Sequence, residues 1–257
     1  HYKSKGINPK LILVKDGTND VYLRLYKEYI SRGLGNLSFF HRFNQLEKHI
    51  GKQFINSSGA IAYIDTINMI LEEAIEFNYE RILILDDDVI LSNNFQQKAT
   101  EFIHAISKDW KIIHLGCSQY NWENIQIKKS LSQGYFHPRR FDSTGSFAIG
   151  IHQSVMREII DYSKYMDSPF DLLPLGEIYE NNRRYCFVCY PNIAIADVSS
   201  SSIREERDQY KHSKRMRWML SEFTYPPEKP KVAVGIHNLS NLKYISQFQR
   251  KEKRAFD

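Results

Sequence analysis

The chain has 257 residues, of which 42% are hydrophobic, and this suits one large α/β domain or two small ones. Its formal charge of +5 is only mildly basic, so no nucleic-acid partner is expected. The three cysteines do not make a disulfide framework, and no apolar run approaches the ~20 residues that span a membrane.

The first half of the chain alternates between predicted strands and helices. Residues 11–15 are an apolar run that predicts a buried strand ending at a turn that begins with Asp16 and Gly17. Residues 21–32 have a helical pattern, and 37–42 favour a second strand. The next predicted elements are an amphipathic helix over 60–77, a strand over 81–85, a helix over 95–106 and a strand over 111–115.

The second half begins with a long polar stretch, 117–143, which is typical of a functional or mobile loop. Beyond it we predict a strand over 147–151, a helix over 154–162 and one or two strands within 185–196. Cys186 and Cys189 lie in this last region, and we interpret them as core residues of a strand rather than as a redox or metal motif. A proline-rich linker is expected at 221–230.

This order of elements predicts an α/β fold with a mostly parallel central sheet and helices on both faces. We expect one domain over 1–220, the linker over 221–230 and a strand-helix tail over 231–257. Ligands of such sheets bind at the carboxyl ends of the strands. Asp16 and the triplet Asp86-Asp87-Asp88 each follow a predicted strand, so they are expected to share one crevice.

The triplet is the strongest chemical signal in the sequence. Asp86 and Asp88, two residues apart at the end of an apolar strand, are able to converge on one divalent cation. Mn²⁺ or Mg²⁺ held there would neutralise a departing diphosphate as a Lewis acid. The alternative is a set of solvated turn acids.

The segment around the triplet resembles known glycosyltransferases. Residues 81–90 read Arg-Ile-Leu-Ile-Leu-Asp-Asp-Asp-Val-Ile, which is similar to the D-x-D segment of the Rossmann-like GT-A fold. Residues 13–20 resemble a turn of the inverting family that includes the cellulose synthases. That resemblance implies that Asp16, followed by Gly17, contacts the nucleobase, although Lys15 replaces a second aspartate of the family pattern.

Later segments are similar to the lipooligosaccharide and collagen galactosyltransferase family. They are Thr144-Gly145-Ser146-Phe147-Ala148-Ile149, Ser168-Pro169-Phe170-Asp171 and Ser201-Ser202-Ile203-Arg204. The resemblances imply a hexosyltransferase of polysaccharide biosynthesis that moves a sugar from a nucleotide sugar, a UDP-sugar first of all, to a glycan or lipid-linked acceptor. Asp87 and Arg204 are then expected to contact the donor.

Inversion at the sugar carbon needs a carboxylate that deprotonates the acceptor hydroxyl. Asp171 is our first candidate because it matches the aspartate of the family's "p-v-D" segment, and Glu177 is the second. For the third metal ligand, Asp197 is the best placed because it follows a predicted strand. His212 and His237 are further candidates, and for each of these residues an ordinary structural role stays open.

Two other enzyme classes use aspartates after a strand. A phosphatase of the haloacid-dehalogenase type would carry its D-x-D on the first strand and a later G-D-x-x-x-D, which the sequence lacks. A nucleotidyltransferase would more often have a glycine-rich phosphate loop near its start. An inactive sugar-binding or scaffolding domain is the non-enzymatic alternative.

The tail contains an apolar segment, Val232 to Ile236, that resembles the opening strand of the cellulose-synthase-like family. Either a second domain begins there, or the tail pairs beside Leu11 to Val14, in cis or from a second copy in a homo-oligomer. Pairing would place His237 and Asn238 near Asp16, where Asn238 would contact the nucleotide.

The sequence gives only indirect signals of the protein's location in the cell. We expect a cytoplasmic protein. Peripheral contact with the membrane is a further option, because basic residues gather late in the sequence, at 204–217 and 250–254. A solvated helix face is the alternative explanation of those charges. The sequence begins at His1 rather than Met, so an upstream targeting segment stays open.

Overall fold

The structure, a computed structural model, describes residues 10–32, 54–166, 168–199 and 207–225. The chain divides into two compact units, His1–Phe223 and Thr224–Asp257. Of the second unit only Thr224 and Tyr225 are described. The predicted strand at 37–42, Arg204, and the tail segment with His237 and Asn238 lie outside the described residues.

Two predicted helices precede the first strand and are confirmed. Helix α1 is Asp20–Arg32, and helix α2 is Ser58–Glu76. The Ser57 side chain caps α2 by accepting a hydrogen bond from Ala60 N at 3.2 Å. The isoleucines and leucine that recur at spacings of three and four form the buried face of α2, as the periodicity predicts: Ile61, Ile64, Ile67 and Leu71.

The central sheet has five strands in the order β1-β7-β3-β8-β5. Their bounds are β1 Arg81–Leu85, β3 Ile112–His114, β5 Tyr135–Phe136, β7 Ala148–His152 and β8 Cys186–Cys189. Only β3 and β8 pair in parallel, whereas the β1–β7, β3–β7 and β5–β8 pairs are antiparallel. The fold class α/β is confirmed, but the prediction of a mostly parallel sheet is wrong because the sheet is mixed.

The error has a definite physical origin. Helix α3, Phe95–Ala105, connects β1 to β3, and these two strands do run in the same direction, as strand–helix–strand alternation predicts. However, β7 lies between them and antiparallel to both. An apolar run specifies a buried strand but not its neighbour, so the sequence pattern did not reveal this insertion.

The predicted strand at 11–15 is also wrong. Residues 10–16 form neither strand nor helix, and Leu11, Leu13 and Val14 are 87%, 79% and 67% exposed. The backbone instead meets a side chain of α2, since Lys15 N donates to Thr66 Oγ1 at 2.9 Å. A strand needs a ladder partner, and this segment has none within the part of the chain that the structure describes.

The stretch 117–143 contains more regular structure than its polar sequence predicts. Helix α4, Ile127–Gln133, interrupts it, and two short strands, β4 Ser118–Gln119 and β6 Ser143–Thr144, close it as an antiparallel pair. A second two-stranded sheet pairs β2, Val89–Leu91, with β9, Ala194–Ala196. The long excursion therefore returns the chain to the start of β7, beside the end of β1.

Three further helices complete the described architecture: α5 Gln153–Ser163, α6 Pro174–Asn182 and α7 Gln209–Met216. Buried side chains of α2, α5, α6, β3 and β7 form one apolar cluster. At the end of the described chain, Leu220–Glu222 forms a 3-10 turn and Phe223 is buried. None of the helices that the structure describes is long and apolar enough to cross a membrane.

The cysteines are free and buried, as the core interpretation of Cys186 and Cys189 predicts. Burial raises the pKa of each of these two thiols to about 12. A thiol with so high a pKa carries little thiolate at neutral pH and is a poor nucleophile or metal ligand.

Gly116 allows β9 to approach the end of β3. Leu115 O accepts hydrogen bonds from Ile193 N at 2.9 Å and Ala194 N at 3.1 Å. A Cβ on Gly116 would lie 1.8 Å from Ala194 O, far inside van der Waals contact. We expect Gly116→Ala to lower the free energy of unfolding by ~2 kcal/mol or more, measured by urea denaturation, because backbone must move.

Gly134→Ala is the matched control for this prediction. Gly134 has a φ of +81°, and a Cβ there would meet no atom within 4 Å, so only backbone strain of ~1 kcal/mol is expected. Equal losses in the two variants would contradict the close-approach argument.

Candidate active site

The aspartate triplet lies in a tight turn between β1 and β2. Val89 N donates to Asp86 O at 3.3 Å, which closes the turn. Both sides of the turn are fixed to neighbouring backbone, since Asp86 N donates to Phe147 O and Asp197 N donates to Asp88 O, each at 2.9 Å. The turn is therefore a fixed part of the sheet end.

Strand pairing explains these neighbours. Leu85 of β1 is paired with Ala148 of β7, so the residues after β1 meet the residues before β7. Val89 is paired with Ala196, so Asp197 lies opposite Asp88. The turn thus lies between the segment that precedes β7 and the end of β9.

Tyr63, on α2, contacts the first aspartate of the triplet. Its hydroxyl lies 3.3 and 3.4 Å from the two carboxylate oxygens of Asp86 and 2.8 Å from Ser146 Oγ. Burial raises the pKa of Tyr63 well above its usual value, and the negative charge of Asp86 adds to that effect. Tyr63 is therefore a neutral phenol that can donate a hydrogen bond to the carboxylate.

The Asp86 carboxyl is electrostatically crowded. Its pKa is raised to about 7, first by burial and then by the charges of Asp88, Asp87 and Asp171, while the Tyr63 hydrogen bond opposes the rise. Asp88 has a larger effect than Asp87, although Asp87 is the adjacent residue.

Asp171 belongs to the same site. Its Oδ2 accepts a hydrogen bond from Gly145 N at 2.6 Å, and Gly145 immediately precedes Ser146. Its charge raises the pKa of both Asp86 and Tyr63. The other oxygen, Oδ1, receives no hydrogen bond from the residues that the structure describes.

Glu177 has a different environment. Its carboxylate forms a salt bridge with Arg140 in which both side chains are largely buried. The guanidinium neutralises the carboxylate and occupies it as a hydrogen-bond acceptor. Glu177 remains the second candidate for the base, but its charge is already balanced by protein.

Asp197 and His212 differ in their relation to the triplet. The Oδ1 atom of Asp197 accepts hydrogen bonds from Ser199 N at 3.0 Å and Ser199 Oγ at 2.5 Å. His212 is buried and packs edge-on against Trp218, with 5.0 Å between the ring centroids. Across residues 10–32, 54–166, 168–199 and 207–225, no three His, Cys, Asp or Glu side chains converge as a ready-made metal site.

Asp16 and Gly17 precede α1 in the sequence, and in space their turn lies against the first residues of α2. Asp16 Oδ1 accepts hydrogen bonds at 2.8 Å from Thr18 N and from Thr18 Oγ1, and these bonds lower the pKa of Asp16. Gly17 is so close to Gly59 that a Cβ on it would lie 2.4 Å from Gly59 Cα. The same half of α2 carries Tyr63, so one helix positions both the Asp16 turn and a partner of Asp86.

The sequence prediction gave no role to Tyr63 or Ser146. Tyr63 lies four residues before Ile67 on the amphipathic helix, so the periodicity already directs a hydroxyl toward the interior. A buried hydroxyl needs a polar partner, and the triplet was one of the strongly polar segments expected at the sheet end. A tyrosine on the buried face of the helix, together with a polar segment at the sheet end, was the signal that could have identified Tyr63.

Comparison with known families agrees with this geometry. Residues 67–171 match the model of glycosyltransferase family 25, described as LPS biosynthesis protein. The chain is a glycosyltransferase. The matched stretch begins within α2, includes the triplet and ends at Asp171, so the resemblance to lipooligosaccharide galactosyltransferases is confirmed there and argues against the phosphatase and nucleotidyltransferase alternatives. No curated protein matches the chain.

The crowding at Asp86 predicts a pH-dependent stability in chelator-treated enzyme. The pKa of Asp86 in the folded protein is about 7, above the ordinary value of 3.8, so the folded state favours the protonated carboxyl. The free energy of unfolding is therefore higher at low pH, and this stability is lost as the pH rises through 7. We therefore expect Asp86→Asn to raise the free energy of unfolding at pH 8 by on the order of 2 kcal/mol, with a smaller gain toward pH 4.

Chemical denaturation across this pH range is the measurement. Asp87→Asn removes an exposed charge from the same turn and should change stability much less. A pH-independent effect of Asp86→Asn would show that the Asp86 carboxyl is not destabilised by ionisation.

Proposed function

We propose that this glycosyltransferase moves a hexose from a nucleotide-diphosphate sugar, a UDP-sugar first of all, to a glycan or lipid-linked acceptor, with inversion and with Mn²⁺ or Mg²⁺. The observation that supports the proposal is the crowding of four carboxylates at one end of the sheet. Asp171 and Asp88 both raise the pKa of the half-buried Asp86 carboxyl, which itself lies beside a neutral phenol.

The residues at the turn fit a hard divalent cation. Such ions prefer carboxylate oxygens, and Mg²⁺-type sites commonly use one or two protein carboxylates and leave positions for phosphate oxygens. Asp86 and Asp88 would be those ligands, and Asp197 is the candidate for a third because it follows β9 opposite Asp88. Bound there, the ion would act as a Lewis acid that neutralises the departing diphosphate.

Asp171 is the proposed general base. Gly145 N fixes its Oδ2, so the carboxylate is oriented while Oδ1 can face an acceptor hydroxyl. In the transfer, the acceptor oxygen bonds to the anomeric carbon, the bond from that carbon to the diphosphate oxygen breaks, and the hydroxyl proton passes to Asp171. The Arg140 salt bridge makes Glu177 the weaker candidate.

The donor's nucleoside is assigned to the turn at the start of α2. Asp16 is exposed there, and its carboxylate is ordered by Thr18, which suits a hydrogen bond to a base or ribose. Gly17 leaves no side chain between this turn and α2. Asp87 is assigned to the donor sugar because it is exposed in the triplet turn.

The metal assignment is tested by alanine variants of the triplet. We expect Asp86→Ala and Asp88→Ala each to weaken binding of UDP in the presence of Mn²⁺ by about 100-fold or more, which is ~2.7 kcal/mol. Each removes a carboxylate that would hold the ion. Asp87→Ala is the matched control from the same turn and should have a smaller effect, and calorimetry measures all three.

Unchanged affinity in both the Asp86 and Asp88 variants would refute the metal site. Thermal unfolding in chelator distinguishes lost binding from a lost fold, because replacing a crowded carboxylate should not destabilise the enzyme above pH 7.

The base assignment is tested by Asp171→Asn and Glu177→Gln. Loss of a general base typically slows turnover by about 10²–10⁴-fold. We expect Asp171→Asn to show that loss with unchanged binding of UDP and Mn²⁺, because the base acts only on the acceptor. Product formation from a panel of UDP-sugars is followed by mass spectrometry, and NMR of the product gives the anomeric configuration.

Glu177→Gln keeps the size of the side chain and should retain most activity if it has no proton to remove. Normal turnover in Asp171→Asn together with an inactive Glu177→Gln would move the base to Glu177. A product with retained configuration would exclude a single inverting displacement.

A further inference from the structure

A group of arginines stacked on aromatic rings lies beside the aspartate turn. We call it the arginine–aromatic surface and define it by Arg207, Arg215, Arg217, Tyr120 and Trp122. Arg215 Cζ lies 5.0 Å from the centroid of the Tyr120 ring, and Arg217 Cζ lies 4.8 Å from that of Trp122. Arg207 Nη1 donates to the Tyr120 hydroxyl at 3.4 Å.

No carboxylate among the described residues pairs with the positive charge of this surface. All three arginines are exposed, and none forms a salt bridge with a carboxylate of the described chain. The rings hold the guanidinium planes of Arg215 and Arg217 by cation–π contact. The guanidinium N–H groups that do not bond to a tyrosine hydroxyl are suited to contact with phosphate or carboxylate. Like charges gathered in this way favour an anionic ligand that offsets their repulsion.

Backbone hydrogen bonds connect the arginine–aromatic surface to the aspartate turn. Arg207 N donates to Val198 O at 2.9 Å, and Val198 follows Asp197, whose N–H donates to Asp88 O at 2.9 Å. Tyr120 N donates to Asp142 O at 2.8 Å. Two backbone hydrogen bonds, by way of Val198 and Asp197, thus connect Arg207 to the triplet.

A second connection runs through the strands β4 and β6. Tyr120 directly follows β4, which pairs with β6, and β6 ends one residue before Gly145. Gly145 N is the donor that orients Asp171. The surface is therefore linked to both parts of the site. Arg207 connects it to the triplet, and Tyr120 connects it through β4 and β6 to the proposed base.

We propose that the arginine–aromatic surface binds the acceptor, and that the acceptor is an acidic saccharide carrying a phosphate or carboxylate group. This inference rests on the proposed function for the role of Asp171. Aromatic rings present apolar faces to the C–H faces of sugars, and guanidinium groups supply the contacts for the acidic substituent. The donor diphosphate has its own partners in the triplet and its cation, so the arginines serve a second anion.

The test uses glucose 6-phosphate, glucuronic acid and neutral glucose as ligands of the whole chain, followed by ligand-observed NMR. Arg207→Gln, Arg215→Gln and Arg217→Gln each remove one guanidinium. Lys214→Gln is the matched control, because it removes the same charge from the exposed face of α7 without removing a stacked group. UDP with Mn²⁺ is titrated in parallel by calorimetry.

We expect the two acidic sugars to bind and glucose not to bind. Each arginine variant should weaken binding of the acidic sugars by about 10-fold, the effect of one charge-assisted hydrogen bond, and Lys214→Gln by less than about twofold. The affinity for UDP with Mn²⁺ should stay unchanged in all four variants. Glucose 6-phosphate and glucuronic acid distinguish a phosphate from a carboxylate as the preferred group.

Three results would overturn the proposal. Absence of binding of both acidic sugars to the wild-type chain would remove its basis. Equal losses in the arginine and Lys214 variants would show a diffuse charge effect, and loss of UDP affinity by the same factor would assign the arginines to the donor. If the wild-type chain binds acidic sugars through these arginines but not UDP with Mn²⁺, the surface stands and the proposed donor chemistry fails.

Discussion

The antiparallel pairing of β7 with β1 is the constraint on which the site depends. This pairing places the residues before β7 directly beside the residues after β1, and the hydrogen bond from Asp86 N to Phe147 O continues the ladder into the turn. The chain before Phe147 brings Ser146 to Tyr63 and Gly145 to Asp171. Without β7 between β1 and β3, these groups would have no common location.

The site concentrates negative charge in a partly buried place, and this is unfavourable for the protein alone. Asp86 carries most of that cost, because burial and three neighbouring carboxylates act on one group. Tyr63 offsets part of it with a hydrogen bond. Such an arrangement is common where a protein binds a cation or transfers a proton, since perturbed carboxyls cluster at functional sites.

The sequence predicted local structure well and strand neighbours poorly. Periodicity located α1, α2 and β1 because each has a clear apolar pattern of its own. It failed at 11–15, where four apolar residues followed by Lys15 resemble a strand, although Lys15 N bonds to Thr66 and the side chains of Leu11, Leu13 and Val14 are exposed. Pairing partners come from contacts distant in sequence, and a single sequence does not record these.

The candidate site, like the fold, could be predicted from the sequence only in part. The triplet stood out because it follows an apolar run, and Asp171 stood out because its segment matches the family pattern; the structure brings them together. Tyr63 was less visible because an aromatic residue on a helix face is usually part of the core. The stacking of Arg215 on Tyr120 was not predictable, since the two residues are far apart in sequence and neither belongs to a motif.

The contact between Gly17 and Gly59 has a consequence for how the protein can diverge. The two backbones meet with no side chain between them, and even a methyl group on Gly17 would lie 2.4 Å from Gly59 Cα. A side chain at position 17 must therefore be accompanied by displacement of the Asp16 turn or of the first turn of α2. The chain can accept a side chain at position 17 only if the turn packs differently on the helix.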